Sequence, residues 1–199
     1  MSYKTFLSSL AVIALIFAST TEVKAEESPE KLLEQTISDV LDLLHAPEQE
    51  LSLDSKRTQI LTLLQERFSF DIIIRRALGR NWNELSATQQ DQITVLISDL
   101  LIRAYTRELE NGPKPNISIV KTDDLGSNKI EIVTSVRYKS NFVSVSYRLA
   151  NVKSRGWQVY DVLIEGVSMV SNYRKQFDEH FQTKSAADLL EMLRGKLKE

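Results

Sequence analysis

Val143-Ser144-Val145-Ser146-Tyr147-Arg148-Leu149 alternates apolar and polar residues without a break. Successive side chains of an extended strand point to opposite faces. Val143, Val145, Tyr147 and Leu149 therefore share one face, opposite Ser144, Ser146 and Arg148. The same period of two continues on both sides. Upstream, Ile130, Ile132, Val136 and Tyr138 alternate along a strand that reaches this one through Lys139-Ser140-Asn141. Further upstream, Ile117 and Ile119 begin another strand, and Asp123 to Asn128 make a turn. Downstream, Ser154-Arg155-Gly156 turns into a strand from Trp157 to about Glu165. Connections this short predict antiparallel neighbours. The stretch reads as a curved antiparallel sheet of four or more strands.

Outside the sheet the apolar period is near 3.6. Ser28-Pro29 is a helix start, and Ile37, Val40, Leu41 and Leu44 follow at helical spacing before Pro47. Asp54 is the expected cap of a second helix carrying Ile60, Leu61, Leu64 and Phe68. A short third helix runs through Ile72, Ile73 and Leu78 to Gly79. Ser86-Ala87-Thr88-Gln89 fits a capping box. After it, Ile93, Leu96, Ile97, Leu100, Leu101, Ala104 and Tyr105 form an apolar stripe that stops at Asn111-Gly112-Pro113. Gly166 is expected to break the last strand. A helix from Ser168 to Phe181 follows, and Ser185-Ala186-Ala187-Asp188 opens a final one. Helices, then strands, then helices indicate an α+β domain, with several helices packed against the sheet.

Residues 1–25 read as a secretory signal: Lys4 near the start, an uncharged apolar run from Phe6 to Ala18, and small residues at Val23 and Ala25 before Glu26. The run falls short of the roughly 20 residues that a spanning helix needs. Cleavage is expected after Ala25, leaving 26–199 as one domain in the periplasm. The net charge of −2 over 199 residues gives no basic footprint for nucleic acid.

The residue inventory is poor in catalytic groups. There is no cysteine, hence no thiol nucleophile, disulfide or Cys-ligated metal. His45 and His180 are far apart, at no metal-ligand spacing, and read as solvated surface residues. The six glycines are scattered, so no phosphate loop forms. Asp71, Tyr105, Tyr160, Asp161 and Glu165 remain as candidates for proton transfer in an apolar, cone-shaped α+β pocket. Each has a plainer reading: Asp71 as a first-turn helix residue, Tyr160 and Asp161 on opposite strand faces, Glu165 as a strand-end charge. The expectation is no enzyme, no catalytic residue, no metal and no cofactor.

Two segments carry a resemblance. The first is Phe68-Ser-Phe-Asp-Ile-Ile-Ile-Arg-Arg-Ala-Leu-Gly-Arg-Asn-Trp82, with Leu85-Ser86 and Gln89-Gln90. The second runs through Tyr147-Arg-Leu149, Trp157-Gln-Val-Tyr-Asp-Val162, Glu165-Gly-Val-Ser-Met-Val170 and Asn172-Tyr-Arg-Lys-Gln-Phe177. Both are similar to the toluene-tolerance family, the periplasmic lipid-binding components of the Mla system, which maintains outer-membrane lipid asymmetry. The resemblance spans roughly 30–195. It implies an apolar cavity between sheet and helices that holds acyl chains. It also implies a phospholipid carrier working between an outer-membrane lipoprotein complex and an inner-membrane ABC transporter with MCE-domain subunits. A related branch is associated with hopanoid lipids, so another apolar lipid is the alternative cargo.

Given that resemblance, the expected cavity wall is the inner sheet face and the helices opposite. Its members are Ile132, Val136, Val143, Val145, Tyr147, Leu149, Val162 and Ile164 from the strands. Ile73, Leu78, Leu96, Leu100 and Tyr105 come from the helices, and Val167, Met169 and Val170 follow the glycine break. Arg75, Arg76, Arg80 and Arg148 are cations near these segments, read as a solvated face or structural ion pairs rather than phosphate ligands.

Overall fold

The alternating stretch folds as β3 (Asn141–Val152), the middle strand of a five-stranded antiparallel sheet ordered β1-β2-β3-β4-β5. The structure is a computed structural model that describes residues 27–47, 51–110 and 112–198, with the side chains of 105–110 outside that description. The expected signal at 1–25 lies outside the described residues. β1 is Asn116–Gly126, β2 Lys129–Tyr138, β4 Gly156–Ile164 and β5 Val167–Ser168. Ile132, Thr134 and Val136 stand opposite Tyr147, Val145 and Val143, and Tyr147 and Val145 in turn oppose Val162 and Ile164. This register puts the apolar residues of three strands on one face.

The fifth strand corrects the expectation at Gly166. Glu165 (φ 49°) and Gly166 (φ 77°) form a two-residue turn with both φ values positive. Such a turn matches the strand twist, so the chain reverses instead of ending the sheet. Val167 and Ser168 then pair with Ile164 and Leu163. Ser168 goes on to cap the next helix.

Among the described residues there are six α-helices: α1 (Pro29–His45), α2 (Leu53–Arg67), α3 (Phe70–Leu78), α4 (Ala87–Glu110), α5 (Met169–Phe181) and α6 (Ala186–Lys196). Their starts follow capping chemistry. Ser86 N–H donates to Gln89 Oε1 at 2.9 Å and Gln89 N–H to Ser86 Oγ at 3.3 Å. Ser185 and Asp188 close the same reciprocal box on α6. α2 begins one residue before Asp54: Ser52 is its cap, and Asp54 sits in the first turn. A 3₁₀ turn, Gly79–Glu84, joins α3 to α4. The C-terminal end of α1 is capped by Lys56 of α2, a buried ammonium that donates to the carbonyls of Leu44 and Ala46. Those are orphan carbonyls at the negative end of the helix dipole, where a buried cation is tolerated.

The core is divided. Ile74 and Leu78 of α3, Ile93 and Ile97 of α4, Phe177 of α5, and Leu189 and Leu193 of α6 pack together away from the inner sheet face. Leu33 of α1 sits on Ile132, Leu149 and Val159. Leu41 and Leu44 of α1 pack with Ile60 of α2 and Ile102 of α4. No helix among the described residues is long and apolar enough to cross a membrane. Replacing Ser86 by Ala removes the cap of the longest helix. We expect a loss of about 1 kcal/mol, read as a lower urea midpoint with an unchanged slope.

Candidate functional site

α1 touches the sheet at one end and stands off it at the other. Leu33 is packed against Ile132 and Leu149. Val40, Leu41 and Leu44, two to three turns later, line a cavity of about 320 Å³ instead. Ile117, Val136, Val145, Tyr147, Val162 and Ile164 form its sheet wall. Ile60, Leu64, Phe68, Phe70, Ile73, Leu101 and Ile102 come from the helical layer and its connections, and Met169 and Val170 from the start of α5. The volume lies at the lower end of the range for small-molecule sites. Pro115 completes the apolar lining, and Asp161 is its one charged member. The sheet-wall side chains are half-buried, whereas Ile132 and Leu149 beside them on the same face are buried.

Eight residues of the expected wall come together here: Ile73, Val136, Val145, Tyr147, Val162, Ile164, Met169 and Val170. Leu78 is instead wholly buried in the helical core, and Leu96 and Leu100 pack on that core. The stripe on α4 faces α3 and α6 over most of its length, and Leu101 and Ile102 are the α4 residues that reach the cavity. Ile132 and Leu149 lie on the inner face but are sealed under Leu33. Val143 is half-buried at the start of β3, outside the cavity, and Val167 is 62 % exposed. The side chain of Tyr105 lies outside the described residues. Sequence reasoning missed Val40, Leu41, Leu44, Ile60 and Leu64. Their signal was the helical spacing already read in α1 and α2, which marks a buried stripe without saying what it faces.

The polar groups near the wall are committed to structure. Asp161 is 3 % exposed. Ser168 Oγ donates to its Oδ2 at 2.7 Å, and Val170 N–H donates to its Oδ1 at 3.2 Å. A carboxylate at this helix start is favourable, and it fastens Met169 and Val170 onto the wall. Arg148 Nη1 lies 3.7 Å from Asp161 Oδ2, and Arg148 Nε donates to Glu131 Oε2 at 2.8 Å. One ladder thus runs from β2 through β3 and β4 to α5. Tyr160 and Asp161 are expected on opposite faces of a regular strand, and the strand is not regular there. The register shifts at Arg148/Leu149, leaving Tyr160 as the extra residue of a bulge, and both side chains are buried. Burial pushes the Tyr147 hydroxyl up to about 12, so it stays neutral and is a poor base at ordinary pH.

The other candidates for chemistry are paired elsewhere. Asp71 accepts from Arg155 at 3.1 Å, and Glu165 Oε1 accepts from Ser144 N–H at 2.6 Å. Arg80 pairs with Asp178 at 3.9 Å, Arg76 lies over the Tyr160 ring, and Arg75 is exposed. His180 Nε2 lies 3.1 Å from Ser185 O. His45 departs from its expectation: it is half-buried, between the carbonyls of Leu41 and Gly112. Among the described residues, no group of three His, Asp or Glu is placed to hold a metal ion.

An antiparallel sheet, a helical layer and an apolar cavity between them define the class: an α+β protein whose candidate site is an apolar pocket. The chain belongs to the MlaC protein family, whose model matches residues 34–195. That match contains Phe68–Trp82 and Trp157–Phe177, the two segments that carried the resemblance. The chain is 24 % identical over 181 residues to the intermembrane phospholipid transport system binding protein MlaC of Haemophilus influenzae, covering 87 % of this chain and 84 % of that one. It shares its fold with the phospholipid-binding protein of Ralstonia solanacearum, solved in complex with a phospholipid. There the TM-score is 0.74 at 23 % identity, over 83 % of this chain and 94 % of that one.

The split between core and cavity can be measured. Leu78→Ala should cost about 2–5 kcal/mol, as for a fully buried leucine. Ile164→Ala should cost clearly less in urea unfolding, because its side chain borders open space. Equal costs would mean that Ile164 is ordinary core.

Proposed function

We infer that this protein carries phospholipid through the periplasm and performs no covalent chemistry. The observation that carries the reading is the cavity: apolar side chains from four strands and from five helices, in a chain of the MlaC family. The Haemophilus relative belongs to a phospholipid transport system and the Ralstonia protein was solved with a phospholipid bound, which supports phospholipid as the cargo.

The energetics suit a carrier. Each buried CH₂ is worth about 0.8 kcal/mol, so an acyl chain of about 16 carbons resists free water by about 12 kcal/mol. An apolar wall removes most of that penalty. Moving a chain from bilayer to cavity is then nearly neutral, and exchange is passive. Direction comes from the proteins at each end, which on this reading are an outer-membrane lipoprotein complex and an inner-membrane ABC transporter with MCE-domain subunits. Export by a signal cleaved after Ala25 would bring 26–199 to the compartment between them. The lack of enzymatic activity is supported by the fixed partners of Asp161 and by the neutral Tyr147 hydroxyl.

Protein exported by its native signal and purified without detergent should yield phospholipid on organic extraction and mass spectrometry. Val145→Asp places an unpaired carboxylate in the wall, where burial without a partner is costly. It should emerge folded by circular dichroism and free of lipid. Native protein devoid of phospholipid would overturn the assignment.

A further inference from the structure

The helical layer is held to the sheet differently on its two sides. On the β4 side the ties use backbone: Ser69 N–H donates to Val159 O at 3.0 Å, and the buried Gln158 amide donates to Glu66 O at 2.9 Å. On the opposite side, the last turn of α1 passes the connection from α4 into β1, the edge strand. Among the described residues no backbone–backbone hydrogen bond crosses there.

Two polar side-chain contacts span this seam among the described residues, beside the apolar packing of Ile117 on the cluster that holds Leu41 and Leu44. Lys114 Nζ lies 2.5 Å from Asp42 Oδ1, with the two side chains 46 % and 64 % exposed. The hydrogen bond from Lys114 holds the Asp42 carboxyl below its ordinary range. His45 reaches across from α1: its Nδ1 is 2.8 Å from Leu41 O and its Nε2 is 3.3 Å from Gly112 O. Gly112 is wedged from behind, since a Cβ there would fall 1.7 Å from the Tyr138 hydroxyl of β2. Cavity wall stands on both sides of the line, Leu41 and Leu44 on α1 and Pro115 and Ile117 just after Gly112.

We propose that this seam is the gate of the cavity, and that His45, together with the Asp42–Lys114 pair, is its latch. The proposal rests on the carrier reading, because a gate matters only if something enters. The C-terminal half of α1 would swing away from the 112–117 segment to admit an apolar chain. Both ties are reversible. An exposed ion pair is weak because water screens it. Both ring nitrogens of His45 face carbonyl oxygens, which only accept. A neutral imidazole has one N–H and serves one of them, while an imidazolium serves both. The charged and titratable groups around the latch are Asp42 on α1, Lys56 on α2, Lys114 before β1, and Tyr138 on β2 with Lys139 over its ring.

The test exploits a chain without cysteine. Asp42→Cys and Lys114→Cys are combined and bridged with a short bis-maleimide, with each single variant treated likewise. Two rates are read: stopped-flow entry of N-phenyl-1-naphthylamine, an apolar dye, and transfer of labelled phosphatidylglycerol between vesicles. Bridging should slow both by about tenfold or more, as expected when a lid controls access. His45→Gln should speed dye entry several-fold, as expected when a tie that holds the lid is lost. Dye entry unchanged in the bridged protein and in His45→Gln overturns the gate, whatever the lipid does. Dye entry slowed by the bridge, with no phospholipid transfer even by the native protein, upholds the gate and overturns phospholipid as the cargo.

Discussion

The registration of β3 between β2 and β4 governs the rest of the structure. Val145 lies opposite Thr134 on one side and Ile164 on the other, and Tyr147 lies between Ile132 and Val162. A slip of one residue would turn Val145, Tyr147 and Leu149 toward water and bring Ser144, Ser146 and Arg148 inward. The ladder Glu131–Arg148–Asp161 guards against that slip from the other face, because its charges pair only in this register. Once the register is set, an apolar face spanning three strands must be covered. Leu33 covers one end by contact. At the other end the covering helices stand off, and the uncovered remainder of the face is the cavity wall.

The parts legible in the sequence are those decided locally. The period of two in 143–149, the serine caps at 86 and 185, and the apolar stripe of α4 are each written within a few neighbouring residues. What a stripe faces is not local. Leu96, Leu100 and Leu101 belong to one stripe and all pack on the helical core, yet only Leu101 of the three also reaches the cavity, beside Ile102 from off the stripe. The difference lies in where α3 and α6 dock, which no window of α4 contains. His45 shows the same limit. Its partner Gly112 is 67 residues away, so nothing near it distinguishes a joint from a solvated surface residue. The turn at Glu165-Gly166 is an intermediate case. A glycine can end a strand or reverse it, and the choice depends on the conformation of the residue beside it. Here Glu165 also takes positive φ and holds Ser144 N–H.

Asp161 illustrates how a buried acid can serve binding without serving catalysis. A carboxylate beside an apolar pocket is the arrangement expected of a general base. Here one oxygen accepts from Ser168 and the other from the backbone of Val170, with Arg148 close to the first. The charge is spent on fixing the start of α5. Met169 and Val170, the first two residues of that helix, are thereby held in the wall.

A protein that keeps an apolar cavity open gives up the contacts that would otherwise fill it. Half-buried Val136, Val145, Val162 and Ile164 make fewer favourable contacts than core residues do, and a cavity of this size is destabilising in proportion to its volume. The compensation is spatially separate. Leu78, Ile93 and Leu189 are wholly buried in a cluster of four helices that meets the wall only through the partly buried Phe70 and Leu101. Stability can therefore reside in that cluster, and in the sheet ladders, while the last turn of α1 is tied on the β1 side by side chains alone among the described residues. A single core between sheet and helices could not do both. Filling it would close the pocket, and loosening it would unfold the domain. The division of the core is what lets one wall of the cavity move while the rest of the fold stays fixed.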